Sequence, residues 1–334
     1  MPRLLRAGLI VAVLGGSYPA GAPAQDSIPP RPAQDSLHPV TAPPESLPPP
    51  LAQHDTIPSL TLESEPASLV EGTIAWLRVR PASPAKVIGG FLAGEPLHFA
   101  KSRPGEYRTL VGIPVEVGDS LPVSLFLVSG DRTDTVVKFV AVAPAGFPQE
   151  QIAVAPAFVR PDSAAAVRIQ VELARSRQVS RQAQETPRLW RGPFRLPRQS
   201  RITSRFGTAR VYNGDVKSRH LGTDFAGTIG APVRAAGRGV VAMVGDFYLA
   251  GRAIYINHGG GLVTAYFHLS RVDVARGDTV SRGQRIGAVG KSGRVTGPHL
   301  HWVARYGAIS ADPMSLLTLE KAVKAKRVKQ HSGT

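Results

Sequence analysis

The stretch "TGPHLHWV", residues 296–303, places two histidines two positions apart, between a Gly-Pro turn and an apolar run. In a β-strand, successive side chains point to opposite faces. His299 and His301 would therefore share one face, while Leu300 and Trp302 pack on the other. Two imidazoles on one face of a strand are either exposed to solvent or act together in one functional site. The other residues of the chain distinguish these alternatives.

A second cluster of metal-binding residue types lies in "RHLGTDFAG", where His220 and Asp224 are four positions apart. This even spacing puts both side chains on one face of an extended segment, and it would do the same on a helix. The glycines at 222 and 227 and the β-type neighbours favour the extended alternative. Histidine and aspartate are suitable ligands for Zn²⁺, and three protein ligands leave a fourth position for water, as in catalytic zinc sites.

Catalysis at such a site also needs groups that move protons. Water activated by zinc needs one group that accepts its proton and another that stabilises the developing oxyanion. The spare histidine of the HLH pair and His268, in "TAYFHLS", could supply both functions. An imidazole has an unperturbed pKa of about 6.5, so it can act as a base near neutral pH.

Four sequence blocks extend these observations: "SRFG", "HLGTDFA", "NHGGGLVTAYFHLS" and "GRVTGPHLHW" follow one another in this order. With them, the region 198–317 resembles the lysostaphin/LytM-type zinc metallopeptidases, which cut peptide bonds in the stems or cross-bridges of bacterial peptidoglycan. The hairpin "GDTVSRGQRIGAVGKSG" is also typical of that fold. The resemblance implies a β-rich peptidase domain that holds one Zn²⁺ and acts on peptidoglycan.

The resemblance also implies roles for five residues. By it, His220, Asp224 and His301 are the zinc ligands, and His268 and His299 are the unliganded catalytic histidines. The expected protein is a zinc-dependent endopeptidase that hydrolyses peptide bonds in peptidoglycan through metal-activated water. The alternative is a non-catalytic regulator of cell-wall hydrolases, or a cell-wall-binding protein, of the same fold. Such relatives usually lack one or more ligands, whereas here the set is complete.

Three residues shortly before the "HLGTDFA" block are predicted to contact substrate. Tyr212 could offer its hydroxyl to the oxyanion, and Arg210 and Asn213 could line the groove and bind substrate carboxylates. For each of the three, a structural role in the loop is the alternative.

The N-terminus has the pattern of an export signal. Residues 1–24 carry two early arginines, an apolar run over 7–15 and the sequence Ala-Pro-Ala at 22–24. The apolar run is too short to span a bilayer, so we expect a removed signal peptide and no membrane span afterwards. The expected location is the periplasm or cell envelope. Cysteine is absent from the sequence, which excludes disulfide bonds and a lipid anchor on cysteine.

Composition and patterning divide the rest of the chain. Residues 25–56 are rich in Pro, Ser, Ala and Asp, which predicts a disordered tether. Short apolar runs between turn residues over 57–150 predict an N-terminal β-sandwich-like domain. The segment 160–185 alternates apolar residues as a strand does, but the absence of Gly and Pro over 162–185 favours a connecting helix, capped by Asp162 or Ser163. The expected fold class is therefore mainly β.

The formal net charge of +16 indicates a polyanionic partner. Residues 318–334 contribute to it as a basic C-terminal tail. The predicted export argues against nucleic acid and favours peptidoglycan or another acidic polymer of the cell envelope, which the sandwich domain could also bind. A merely solvated basic surface is the alternative, and the sequence carries no signal for an oligomeric state.

Overall fold

The computed structural model describes residues 59–82, 85–214 and 216–319. The predicted signal peptide (1–24), the predicted tether (25–56) and all but the start of the predicted basic tail lie outside these ranges. Among the described residues, no helix combines the length and the apolar character needed to cross a bilayer. All of them belong to one compact unit.

The described region before the helix consists of short strands, because apolar runs alternate there with turn residues. The strands are β1 (Leu60–Glu65), β2 (Leu69–Val70), β3 (Ile74–Pro81), β4 (Lys86–Leu92), β5 (Glu95–Pro96), β6 (Ala100–Arg103), β7 (Glu106–Gly112), β8 (Ser120–Ser129), β9 (Arg132–Ala143) and β10 (Gln149–Ile152).

Nine of these strands form a β-sandwich. One sheet has the order β1-β3-β7-β6 and the other has the order β2-β9-β8-β4-β5. Along β8, alternate residues point inward, and Val123, Leu125 and Leu127 are 0% exposed. They share one apolar cluster with Leu77 and Val111 of the other sheet. The expected N-terminal β-sandwich-like module is therefore present.

The single α-helix of the described residues, α1 (Ser163–Glu185), connects the two β-rich regions. Of the two candidate caps, Asp162 is the one that accepts a hydrogen bond from a backbone N–H of the first turn, at 2.7 Å. Val167 and Val171, which gave the segment its strand-like alternation, are 65% and 56% exposed. The buried side chains lie in the second half of the helix, around Val179. The helical interpretation is thus the right one.

After the helix, strands and glycine turns dominate again. The strands are β11 (Ile202–Ser204), β12 (Ala209–Tyr212), β13 (Val216–Arg219), β14 (Thr223–Ala226), β15 (Pro232–Arg234), β16 (Gly239–Phe247), β17 (Gly251–Gly259), β18 (Leu262–Phe267), β19 (Leu269–Val272), β20 (Thr279–Val280), β21 (Arg285–Val289), β22 (His299–Tyr306) and β23 (Ile309–Ala311).

The main sheet of this C-terminal region has the order β11-β14-β22-β18-β17-β16-β20, with β23 added to β22. The antiparallel pairing of β14 with β22 sets Asp224 opposite His301. On the other face of β22, Leu300 and Trp302 are 0% exposed. The alternation expected from the HLH sequence is therefore present, and the fold-class prediction is confirmed.

The two β-rich regions share an apolar core. One face of β3 points into the sandwich, while Ile74 and Trp76 on the other face join the main cluster of the C-terminal region. The ring of Trp76 lies 6.0 Å from that of Trp190. Gly112 of β7 lies so close to Tyr306 of β22 that an added Cβ would come within 2.9 Å of the tyrosine Cβ.

His258, from the "NHGGG" block, belongs to this core and is 0% exposed. Its Nδ1 donates to the Arg238 carbonyl at 2.8 Å, and its Nε2 lies 2.8 Å from the Thr264 hydroxyl. Burial lowers the pKa of His258 from 6.5 to about 4. This imidazole is therefore neutral and structural at neutral pH.

We expect Trp76→Ala to lower the free energy of unfolding by about 3–5 kcal/mol, because it empties a buried site between the two regions. It also removes the hydrogen bond from Nε1 to the Leu319 carbonyl. Urea denaturation followed by circular dichroism measures the loss. The control Phe139→Ala changes a side chain that is 70% exposed and should cost less than about 0.5 kcal/mol. A loss below about 1 kcal/mol for Trp76→Ala would contradict the shared core.

We expect His258 to make the metal-free protein less stable as the pH falls from about 6.5 to about 4. Between these pH values His258 binds a proton in the unfolded chain but not in the folded protein. The free energy of unfolding therefore falls as the pH is lowered through this window, by about 3 kcal/mol at most. Urea denaturation in chelator at a series of pH values tests this against His258→Gln, which should show a shallower loss. Equal pH dependence of the two proteins would refute it.

Candidate metal centre

Three predicted ligands converge beside β14 and β22. His220 precedes β14, Asp224 lies within it, and His301 lies on β22. His220 Nε2 is 2.9 Å from His301 Nδ1 and 3.1 Å from Asp224 Oδ1, and the latter two atoms are 2.7 Å apart. Among the described residues, His220, Asp224 and His301 are the cluster of histidines and acids whose ligand atoms lie close enough together to hold a metal ion.

The donor atoms and their spacing fit a bound metal ion. Ligands at about 2.0–2.1 Å in a tetrahedral arrangement lie about 3.3 Å from one another, close to the observed separations. The Arg205 carbonyl accepts from His220 Nδ1 at 2.8 Å, so Nδ1 carries the proton and Nε2 keeps its lone pair for a metal. A carbonyl or carboxylate that holds the outer nitrogen in this way is the usual support of a metal-binding histidine.

Gly222, between the two ligands of the "HLGTDFA" block, leaves room for the third. An added Cβ at this position would lie 2.5 Å from His301 Nε2 and 2.7 Å from the Trp302 carbonyl oxygen. Any side chain at 222 would therefore displace a ligand imidazole. The sequence alone gave Gly222 no more than a preference for extended structure.

Two further imidazoles stand beside the three ligands. His268 Nδ1 lies 2.8 Å from the Ser292 carbonyl, and His299 Nδ1 lies 2.8 Å from the Gly297 carbonyl. Because a carbonyl only accepts, Nδ1 of each ring is the donor in these contacts, and Nε2 is the ring nitrogen left for other partners. The two ring centroids are 4.9 Å apart, and His299 Nε2 is 3.6 Å from Asp224 Oδ1.

His268 adopts an uncommon backbone conformation. It follows β18 directly and has a φ of 61°, in the left-handed region that residues other than glycine seldom occupy. Its N–H donates to the Ala250 carbonyl at 2.9 Å. Backbone strain of this kind clusters at functional sites, where the surrounding structure maintains it.

Electrostatics put these groups in the protonation states that metal binding requires. Burial disfavours the charge of Asp224, but the adjacent imidazoles of His220 and His301 outweigh this effect and hold the carboxyl pKa well below its ordinary value. Burial lowers the pKa of His301 to about 4, although Asp224 opposes the shift. Burial and the neighbouring histidines also hold the pKa of His268 well below 6.5. At neutral pH the carboxylate is charged and these imidazoles are neutral.

The three predicted substrate-binding residues lie on β12 or directly after it. Arg210 donates from Nη2 to Asp224 Oδ2 at 2.9 Å, a contact with a ligand that the sequence did not indicate. Tyr212 is 4% exposed. The Asn213 side chain exchanges two hydrogen bonds of 3.0 Å with the backbone of Val154. A role of the three in substrate binding stays a prediction.

Comparison with known proteins places the site in a family context. Residues 218–313 match the model of Peptidase family M23. Peptidoglycan DD-endopeptidase ShyA of Vibrio cholerae serotype O1 is 48% identical over 103 residues, which cover 30% of this chain and 24% of that protein. DD-carboxypeptidase/endopeptidase Mpg of Neisseria meningitidis serogroup B is 40% identical over 117 residues, covering 35% of this chain and 27% of that protein. The match thus spans about a quarter of the length of these curated relatives.

One solved structure is similar over most of the chain. A crystal structure from Pseudomonas aeruginosa, assigned to peptidase M23, superposes with a TM-score of 0.57 at 25% identity, covering 75% of this chain and 95% of that chain. The similarity therefore extends beyond 218–313 into the preceding regions. From the family match, we conclude that residues 218–313 form a peptidase family M23 domain, and this domain carries the candidate metal centre.

Proposed function

We propose that this protein is a zinc-dependent endopeptidase that hydrolyses peptide bonds in peptidoglycan stems or cross-links, in the periplasm or cell envelope. The convergence of five side chains from distant parts of the chain carries the proposal. Three of them offer atoms to a metal ion, and the other two present a free ring nitrogen beside it. A regulator that does not catalyse has no need of the second pair.

His220, Asp224 and His301 would hold the zinc ion through Nε2, Oδ1 and Nδ1, which leaves one ligand position for water or substrate. Zinc bound in this way lowers the pKa of a coordinated water towards about 7 and polarises a carbonyl group. The buried, hydrogen-bonded surroundings of the three side chains fix their donor atoms before the ion binds.

His268 and His299 would move protons and stabilise charge. The Nε2 atom of His268 is free to accept a proton from the attacking water, since Nδ1 is fixed to the Ser292 carbonyl. Once protonated at Nε2, His299 would donate to the negatively charged oxygen that develops from the scissile carbonyl. A proton taken from water must finally reach the leaving amine, and either imidazole can deliver it from the same side of the groove.

The relatives support the substrate class. ShyA is named as a peptidoglycan DD-endopeptidase and Mpg as a DD-carboxypeptidase/endopeptidase, and the aligned region of each is about as long as the peptidase domain. The net charge of +16 suits an acidic cell-envelope polymer, because peptide stems carry free carboxylates. Export of the chain would bring the site to this polymer.

We expect the purified protein to bind one zinc ion per chain, because a single ligand cluster is present in its described part. His301→Ala removes one ligand atom and should lower the bound zinc well below this value after dialysis. Elemental analysis by mass spectrometry measures the content. The control His98→Ala alters a histidine that bonds Gln184 instead and should retain one zinc. A wild-type protein without zinc would contradict the proposed cofactor.

We expect the protein to release peptidoglycan fragments from purified sacculi, with a chelator abolishing the release and added zinc restoring it. His299→Ala should lower the rate by at least about 100-fold while zinc stays bound, because general acid–base groups contribute 10²–10⁴-fold. Mass spectrometry of the muropeptides reports both the rate and the bond that is cut. Zinc binding without any cleavage would instead support the non-catalytic alternative.

A further inference from the structure

We propose that Glu150 is a positioning residue for the metal centre, acting through Arg210 to hold the Asp224 carboxylate with Oδ1 turned towards the metal. The inference rests on the proposed function of the site as a metal centre. Glu150 lies on β10, which precedes the residues 218–313 that match the M23 family. Glu150, which lies outside the matched domain, would therefore help to hold Asp224, a metal ligand inside that domain.

The two oxygens of Asp224 are divided between different partners. Oδ1 faces His220 Nε2 and His301 Nδ1 at 3.1 and 2.7 Å. Oδ2 accepts from Arg210 Nη2 at 2.9 Å, and both side chains of this pair are largely buried, at 13% and 8% exposure. The guanidinium therefore occupies one oxygen and leaves the other for a metal.

Arg210 is itself held in place by two groups. Its Nε donates to Glu150 Oε1 at 2.6 Å, and its Nη2 donates to Ser204 Oγ at 2.9 Å. Ser204 donates in turn to Glu150 Oε1 at 3.0 Å and lies 3.2 Å from His220 Nδ1. This closed network touches two of the three ligands, so its loss would loosen both.

Charge gives Glu150 a second effect. Arg210 places a positive charge beside a site that must accept a divalent cation, and it draws electron density from the ligand carboxylate. Glu150 compensates that charge, since one arginine and two carboxylates leave a single net negative charge, as Asp224 alone would have. At the short distances of a partly buried site, such compensation is only weakly screened.

The backbone explains how β10 reaches the site. It pairs in parallel with β12, and the register sets Glu150 against Arg210. Two anchors flank the strand. Before the strand, the Phe147 ring packs directly against Gly207, in the space that a Cβ there would occupy. After the strand, the Asn213 side chain binds the backbone of Val154. The strand is thus anchored at both ends beside Arg210.

The test is zinc affinity, measured on the full chain by competition with a chromophoric chelator. We expect Glu150→Gln to raise the dissociation constant by about 10-fold or more, since groups that support metal ligands typically contribute 10–100-fold. The visible spectrum of the cobalt-substituted protein should also change. The matched control Gln151→Ala alters an exposed neighbour on the same strand and should bind zinc as the wild type does.

A double-mutant cycle identifies the route. If Glu150 acts through Arg210, then Glu150→Gln should have little further effect in an Arg210→Met background. Additive effects of the two changes, or a wild-type zinc affinity of Glu150→Gln, would overturn the inference and leave the proposed function intact. Failure of the wild type to bind zinc would instead overturn the proposed function, and the inference with it. Should Glu150→Gln fold poorly, Glu150→Asp keeps the charge but shortens the reach, and it should show a smaller loss of affinity in the same direction.

Discussion

The register between β14 and β22 is the constraint on which the whole site depends. The pairing sets Asp224 opposite His301 and Ala226 opposite His299. Because side chains alternate between faces, a slip of one residue would turn both histidines of β22 into the core. It would also bring Leu300 and Trp302, now 0% exposed, out to the groove. Burial of these apolar side chains therefore fixes the metal-binding atoms as firmly as any polar contact does.

Main-chain carbonyl groups orient three of the four imidazoles at the site. They belong to residues 205, 292 and 297, which bind His220, His268 and His299 in that order. The fourth imidazole, that of His301, instead faces Asp224 and stacks on Phe267, with ring centroids 5.3 Å apart. Every residue has a main-chain carbonyl, so the residue types at these three positions do not reveal that they orient imidazoles. The path of the loops, and not a recognisable side chain, selects the tautomer of each ring.

The sequence predicted the placement of side chains at the candidate site where a local pattern determined it. The alternation of His299 and His301 needed only strand periodicity, and the connecting helix followed from its length without Gly or Pro. His220 lies in the connection before β14, so strand periodicity does not account for its position relative to Asp224. Contacts between distant segments were beyond such reasoning. Glu150 meets Arg210 across sixty positions through a parallel strand pair, and no local pattern encodes that pairing. In β3, the unbroken run "IAWL" is typical of a strand buried on both faces, yet it does not say what covers the second face.

The shared core limits the ways in which the proposed activity could be switched on or off. A domain that swings away as a lid needs an interface that tolerates water, but separating these two regions would expose Trp76, Trp190 and their apolar neighbours. The energy lost would be comparable to the whole stability of an ordinary domain. Proteolytic clipping between the sandwich and the peptidase domain would thus yield an unstable fragment and not a liberated enzyme. Under the proposed function, cleavage would be controlled by the access of the cell-wall polymer to a site that the shared core already holds in place.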